Sequence, residues 1–300
     1  MSGSTVNALF MQVLTGFQLG AIYMLIGLGL TLIFGTLGVV NFAHGALFML
    51  GAYAAVTLAP QTGFALAILL VPLLLFAFGI VMERGLIRKF YDRPHTDQIM
   101  LTFGLALVIQ EALKWIYGAN SLPFPLPDWG NGIVRLHEYL PFLTGFVAYP
   151  KWRLILTVVS FATVIALFLL LQFTRFGLVV RAGMRDPEML RFLGVNIQRR
   201  FAIVFGLGAA IAGVAGLFGG PVASVYPGLG MAYLVPSFLV VVIGGMGSLP
   251  GAVVAAILLG MALSFSAEYS AMQQVSVYLI AVVVLLLRPR GLLGQKGVLE

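Results

Sequence analysis

Long apolar stretches set the rhythm of this chain. They fall at about 9–34, 42–59, 64–82, 99–117, 154–172, 201–219, 232–266 and 275–287, separated by short polar, glycine- or proline-rich segments. A window of about twenty apolar residues crosses the roughly 30 Å hydrocarbon layer as a helix, and most of these runs reach or approach that length. The seventh is too long for one simple span and is interrupted by "GGMGSLPG" at 244–251. The pattern therefore predicts eight or nine membrane segments. Residues 232–266 are read as two short helices, or as one span with a re-entrant piece. Backbone polar groups in lipid must be satisfied internally, which leaves helices or a closed barrel. The ten-residue alternating strands of a barrel are absent. The fold class is thus all-α, a polytopic membrane helix bundle with broken or re-entrant helices.

Composition sharpens this picture. Of 300 residues, 61% are hydrophobic and 9% charged, against about 25% charged in an ordinary soluble domain. The chain has no cysteine, which excludes disulfides and cysteine-held metal. The N-terminus lacks the basic region of a cleavable signal, so none is expected. A net charge of +7 could suggest nucleic acid, but its distribution points to a membrane surface instead. The segment 83–98 holds Arg84, Arg88, Lys89 and Arg93. The segment 173–200 holds Arg175, Arg181, Arg185, Arg191, Arg199 and Arg200, and the tail holds Arg288, Arg290 and Lys296. Basic residues favour the cytoplasmic side, so these three segments are placed there. The loop at about 118–152 then lies outside. Counting spans puts the N-terminus outside and the C-terminus in the cytoplasm, provided 232–266 crosses twice.

Ionisable residues deep in a membrane are costly and usually functional. Here Glu111 sits late in the fourth span, with Lys114 one turn on as an interfacial partner, and Glu268 lies in a loop. No span pairs a central acid with a base, which argues against a proton-coupled carrier. Enzyme signatures are missing as well. There is no H-E-x-x-H, no G-x-S-x-G and no phosphate-binding G-x-x-x-x-G-K-[ST]. His44, His95 and His137 are far apart in sequence. We therefore expect no catalytic residue, no metal site and no cofactor. Glycines recur at helix-packing spacing, as in Gly51 with Ala55, Gly206 with Ala210 and Gly208 with Ala212.

Two stretches stand out. In "RAGMRDPEMLRFLGVNIQRR" (181–200), Asp186 suits an N-cap, Pro187 the first helical position, and Gly194 a stop. The result is a helix of about seven residues with Met189, Leu190 and Leu193 on one face. It is too short to stand alone, so it must dock, on its own protein or in a partner's groove. In "VVNFAHGALFMLGAYAA" (39–55), Asn41 can cap the second membrane helix, with His44 in its first turn and Gly45 allowing close packing. The fragments "FGTLG" (34–38) and "IGGMG" (243–247) are each followed by a polar residue and a glycine–alanine pair, which hints at an internal repeat.

Four stretches together resemble a known family. They are "GLTLIFGTLGVVNFAHGALFMLGAY" (29–53), "MER…DRPHTDQIMLTFGLALVIQE" (82–111), "RAGMRDPEMLRFLGVN" (181–196) and "VIGGMGSLPGAVVAAILLG" (242–260). The family is the permease of branched-chain amino-acid ATP-binding-cassette importers, in its shorter, first type. The resemblance implies a single transmembrane permease domain over 1–300 in a prokaryotic inner membrane. It implies a second permease subunit as heterodimer partner, two cytoplasmic ATPase subunits and an extracytoplasmic solute-binding protein, in contact with membrane lipid and with no nucleic acid. Carried over by position, Arg185, Asp186, Pro187, Met189, Leu190, Leu193 and Gly194 would contact the ATPase. Two positions depart from the family pattern: Ala46 stands where an acidic residue is frequent, and Leu190 where a small alanine is common. Irregular backbone at depth is tolerated where it faces a cavity. Asn41, His44, Gly45, Gly244, Gly245 and Ser248 are therefore expected to line the path, with loops 118–152 and 219–232 open for docking outside. A self-sufficient carrier or channel, or a related permease for urea, amides or aromatic acids, remains an alternative.

Overall fold

The computed structural model describes residues 3–185 and 187–294. Its first helix, α1 (Gly3–Leu37), is the axis of the bundle. At about 1.5 Å per residue its 35 residues extend about 50 Å, well past the hydrocarbon layer. Next come α2 (His44–Thr62), α3 (Phe64–Gly85), α4 (His95–Tyr117) and α5 (Lys151–Phe173). The chain then forms α6 (Arg175–Arg185), α7 (Pro187–Phe192), α8 (Ile197–Ala223), α9 (Leu229–Gly244), α10 (Leu249–Phe265) and α11 (Ser270–Leu287). Every predicted apolar run is helical, and 232–266 divides into the two short helices α9 and α10. Helices α1, α3, α4, α5 and α8 are each long and apolar enough to cross a membrane.

Small residues set the packing. A Cβ on Gly51 would stand 2.8 Å from the Cα of Gly213, and one on Gly208 would stand 2.7 Å from the side chain of Ile33. These close backbone approaches bring α1, α2 and α3 onto α8, since without a hydrophobic drive in lipid, packing itself holds helices together. Contact order along α1 gives the directions of its neighbours. Tyr23 meets Tyr233 and Gly27 meets Val240, so α9 runs parallel to α1. Gly20 meets Ala256 and the Gln12 carbonyl accepts from Ser264 Oγ at 2.6 Å, so α10 runs antiparallel to it. The α9–α10 pair is therefore a helical hairpin whose turn lies beside the C-terminal end of α1, where Gly35 faces Gly247.

At the other end of the bundle, the 118–150 segment forms a small module. Strands β1 (Ile133–Arg135) and β2 (Ala148–Pro150) pair antiparallel. Leu136, Leu143, Val147 and Tyr149 bury against Phe10, Met11 and Leu14 of the overhanging start of α1. Trp152 donates its indole N–H to the Phe218 carbonyl at 2.9 Å and stacks with Phe218. The expected docking loop at 219–232 is shorter than the sequence suggested. Pro221 sits inside α8, which continues to Ala223, so only 224–228 are non-helical, and Val225 is bridged to Leu122.

Candidate functional site

The sequence-predicted path residues sit at two helix breaks, both anchored on α1. The first lies between α1 and α2. Gly38 ends α1 with φ +67°, a left-handed conformation that glycine adopts without strain. Residues 39–43 then climb back beside α1, so that His44, the first residue of α2, packs against Gly29, eight residues before α1 ends. At 1.5 Å per residue this starts α2 about 12 Å inside the bundle. Asn41 Oδ1 accepts from the Ala43 N–H at 3.1 Å and the Asn41 carbonyl from the His44 N–H at 3.2 Å. Asn41 thus caps the turn that feeds the helix, three residues ahead of its start, and not the helix itself as expected, since the N-cap position falls on Ala43, which has no side-chain bond.

Irregular backbone at that depth needs partners, and α4 supplies one. Thr102, fully buried, accepts the Phe42 N–H at 3.0 Å and gives its own proton to the Gln98 carbonyl at 2.8 Å. Around this turn lies a layer of polar atoms without hydrogen-bond partners: Asn41 Nδ2, both ring nitrogens of His44, Thr31 Oγ1 and Ser237 Oγ. The Ile26 carbonyl faces the His44 ring without completing a bond of normal geometry. Such groups each cost about 1–3 kcal/mol when buried, and these sit on α1, α2, α9 and the turn between α1 and α2.

The second break lies between α9 and α10. Gly245 and Gly247 have φ of +100° and +85°. Ser248 Oγ accepts the Gly251 N–H at 3.2 Å and caps α10. The chain's tail fastens this turn: Leu292 donates to the Ile243 carbonyl at 2.7 Å and Leu293 to the Gly244 carbonyl at 3.1 Å. Both breaks follow one plan, a positive-φ glycine, a polar cap and a glycine–alanine pair, as the two fragments hinted. The structure brings them to the same end of α1, with Gly35 against Gly247.

None of the six predicted path residues lines the cavity found beside α1. That cavity, about 450 Å³, opens between α1, α9, α10 and α11 and includes Leu19, Tyr23, Ala232, Pro236, Gln273 and Tyr278 in its wall. Pro236 lacks the N–H that would bond the Ala232 carbonyl one turn back, and the cavity wall mixes apolar side chains with the polar groups of Tyr23, Gln273 and Tyr278. The sequence contained a signal for it: a proline inside an apolar run.

The residues expected to contact an ATPase are placed unevenly. Asp186 lies outside the described residues. Arg185 ends α6 and Pro187 begins α7, which spans six residues. Gly194 has φ +75° and the Val195 N–H bonds the Leu190 carbonyl at 3.0 Å, so the stop is where it was expected. The predicted apolar face is split, however. Leu190 is half-buried and turns back toward Gly183 of α6, while Met189 and Leu193 are exposed, as is Phe192, 86% exposed, which the sequence reading passed over. The cause is that α6 packs close behind α7 and takes Leu190 for itself.

Glu83 is the other residue the sequence did not single out for a site. It is fully buried, and Arg88 grips it through Nε–Oε1 at 3.1 Å and Nη2–Oε2 at 2.8 Å, with the Tyr91 hydroxyl donating to Oε1 at 2.7 Å. Burial, then the bond to Glu83, holds the Tyr91 phenol well above its ordinary range. The Glu111–Lys114 pair forms at 3.3 Å with both side chains exposed, as expected of an interfacial pair. Among the described residues no cluster of His, Cys, Asp or Glu could hold a metal ion.

Comparison with known proteins follows the same span. The family "Branched-chain amino acid transport system / permease component" matches residues 12–288. The chain is 29% identical to the high-affinity branched-chain amino acid transport system permease protein LivH of Salmonella typhimurium, covering 96% of each chain. It is 30% identical to the corresponding permease protein BraD of Pseudomonas aeruginosa, again over 96% of each. A probable branched-chain amino acid transport permease protein of Methanocaldococcus jannaschii is 27% identical over 90% of this chain and 88% of its own. No solved structure matches.

Proposed function

Starting from the fact that this chain belongs to the permease component family of branched-chain amino acid transport systems, we propose that it forms the membrane path for branched-chain amino acids. It does so as one permease subunit of an ATP-driven importer. The single observation carrying this reading is the family match over 12–288, which takes in every apolar helix of the bundle. In this reading a second permease subunit completes the path, a solute-binding protein delivers cargo at the 118–150 module, and two ATPases work at the face carrying α7. That face holds the three basic segments and is the cytoplasmic one; the N-terminus is outside and the tail inside.

The geometry supports a division of labour. The cavity beside Tyr23 and Pro236 has an apolar wall for an aliphatic side chain. Hydroxyl and amide groups of Tyr23, Tyr278 and Gln273 there offer neutral hydrogen bonds to a zwitterion, with no fixed charge to trap it. Substrate choice then rests chiefly with the binding protein. The two helix breaks beside α1 serve as hinges: ATPase closure pushes α7, and the α1–α2 and α9–α10 turns let the bundle rock between outward- and inward-open forms. The deep start of α2 offers N–H donors to a passing carboxylate.

Reconstitution of the complete importer in liposomes tests this. Labelled leucine should accumulate only with binding protein outside and ATP on the ATPase side, and the chain alone should move none. Solute movement by the chain alone without ATP would replace the proposal with a self-sufficient carrier.

A further inference from the structure

A second cleft lies at the end of the bundle remote from the outer module, where α3 ends and α8 begins. It encloses about 580 Å³ and is lined by Arg84, Arg88, Asn196, Gln198 and Arg199, with no apolar side chain. Arg88 is committed to Glu83 and also reaches the Gln198 carbonyl at 3.4 Å. Arg84 and Arg199 have no carboxylate partner within 4 Å among the described residues. Three guanidinium groups thus face one space against a single carboxylate, leaving two unneutralised charges. The positive end of the 27-residue α8 points into the same region. Asn196 Oδ1 accepts the Arg199 N–H at 3.0 Å, which fixes the backbone that carries Arg199.

Position says what kind of anion fits. Helices α3 and α8 are both membrane-length and apolar, so the cleft between their ends lies at headgroup depth, whichever leaflet that is. Along α3, Leu69, Leu73, Ala77 and Val81 are exposed at four-residue intervals, and Arg84 continues the same stripe one turn on. A guanidinium therefore stands at the head of an apolar strip that runs into the bilayer. A phosphate in the cleft would have its acyl chains laid along that strip, a geometry that a free anion or an acidic protein surface does not use.

We propose that this cleft binds the phosphate of an anionic phospholipid, of the phosphatidylglycerol or cardiolipin class. Arg84 and Arg199 hold the phosphate, and Arg88, locked by Glu83, forms the wall. Basic pockets between membrane helices recognise such headgroups, each arginine adding to the attraction. This goes beyond the transport reading and does not depend on which solute is carried.

The test is native mass spectrometry of the purified importer, delipidated and then exposed to equal phosphatidylglycerol and phosphatidylcholine. The wild type should retain phosphatidylglycerol preferentially. The double variant Arg84→Gln/Arg199→Gln should lose about tenfold or more of that preference, Arg199→Gln alone less, and Lys151→Gln/Arg153→Gln, at the far face, none. Unchanged retention in the double variant would overturn the proposal. Displacement of the lipid by inorganic phosphate at equal potency would also overturn it, reassigning the cleft to a free anion. Loss of ATPase co-purification with lipid retention intact would assign the arginines to the partner's acidic surface instead, with the same consequence. An unfolding temperature in phosphatidylcholine alone, equal for variant and wild type, shows that the variants fold.

Discussion

A Cβ on Gly29 would stand 2.5 Å from Nε2 of His44 and 2.9 Å from the Gly208 carbonyl, which cannot yield as a flexible side-chain tip could. Gly29→Ala should therefore destabilise the protein by about 1–3 kcal/mol, read as a lower unfolding temperature in detergent. Gly104 gives the opposite case: nothing lies within 4 Å of its Cβ position in mid-α4, so Gly104→Ala should be neutral or stabilising by about 0.5–1 kcal/mol. Thr102→Val keeps the shape and removes the hydroxyl that accepts the Phe42 N–H. Leaving that donor unpaired at depth should cost about 1–3 kcal/mol, with slower uptake, while Thr102→Ser should restore both. At this scale the sequence was informative about His44 and Asn41 but silent on Thr102. A threonine in an apolar helix reads as a polar interruption of no consequence until the irregular turn it serves is seen across the bundle.

Among the elements, the α3 end illustrates how a buried ion pair joins distant parts of the chain. Glu83 belongs to α3, Arg88 and Tyr91 to the turn beyond it, and Arg88 reaches on to the start of α8. Glu83→Ala should cost about 3 kcal/mol, and its larger effect should be on coupling: ATP hydrolysis by the assembled importer should respond less to loaded binding protein. Because Tyr91 titrates above its ordinary value of about 10, its bond to Glu83 is fully present below that pH. It weakens only as pH rises through the higher folded value, so coupling should be flat across neutral pH, and Tyr91→Phe should change its size rather than its pH profile. For α7, Phe192→Asp or Leu193→Asp should leave the unfolding temperature within about 0.5 kcal/mol equivalent, since both side chains are exposed, yet release the ATPase on size-exclusion chromatography. Retention of the ATPase by both variants would remove α7 from the interface. Periodicity gave the membrane helices, and Gly194 gave the stop after α7. It could not show that α6 covers Leu190, because that depends on how two short elements fold back on each other.

For the whole molecule, the described chain begins beside the 118–150 module and finishes beside the α9–α10 turn, at opposite ends of the bundle, and the described basic residues of the three segments gather at the end where α1 stops. Both follow from patterns visible along the chain: the interrupted seventh run and the grouping of thirteen of seventeen basic residues. The cavity was less legible, since four helices contribute to it and no local pattern marks their meeting. The tail carries one more consequence. Leu292 and Leu293 supply the hydrogen bonds that close the end of α9, so a turn built from residues 243–248 is completed by residues made only after α10 and α11. During insertion by the translocation machinery this turn must wait, open, until both of those helices have been made. A tag or truncation that disturbs 291–294 is thus a defect of biogenesis, lowering the yield of mature permease even though every membrane helix has already been made.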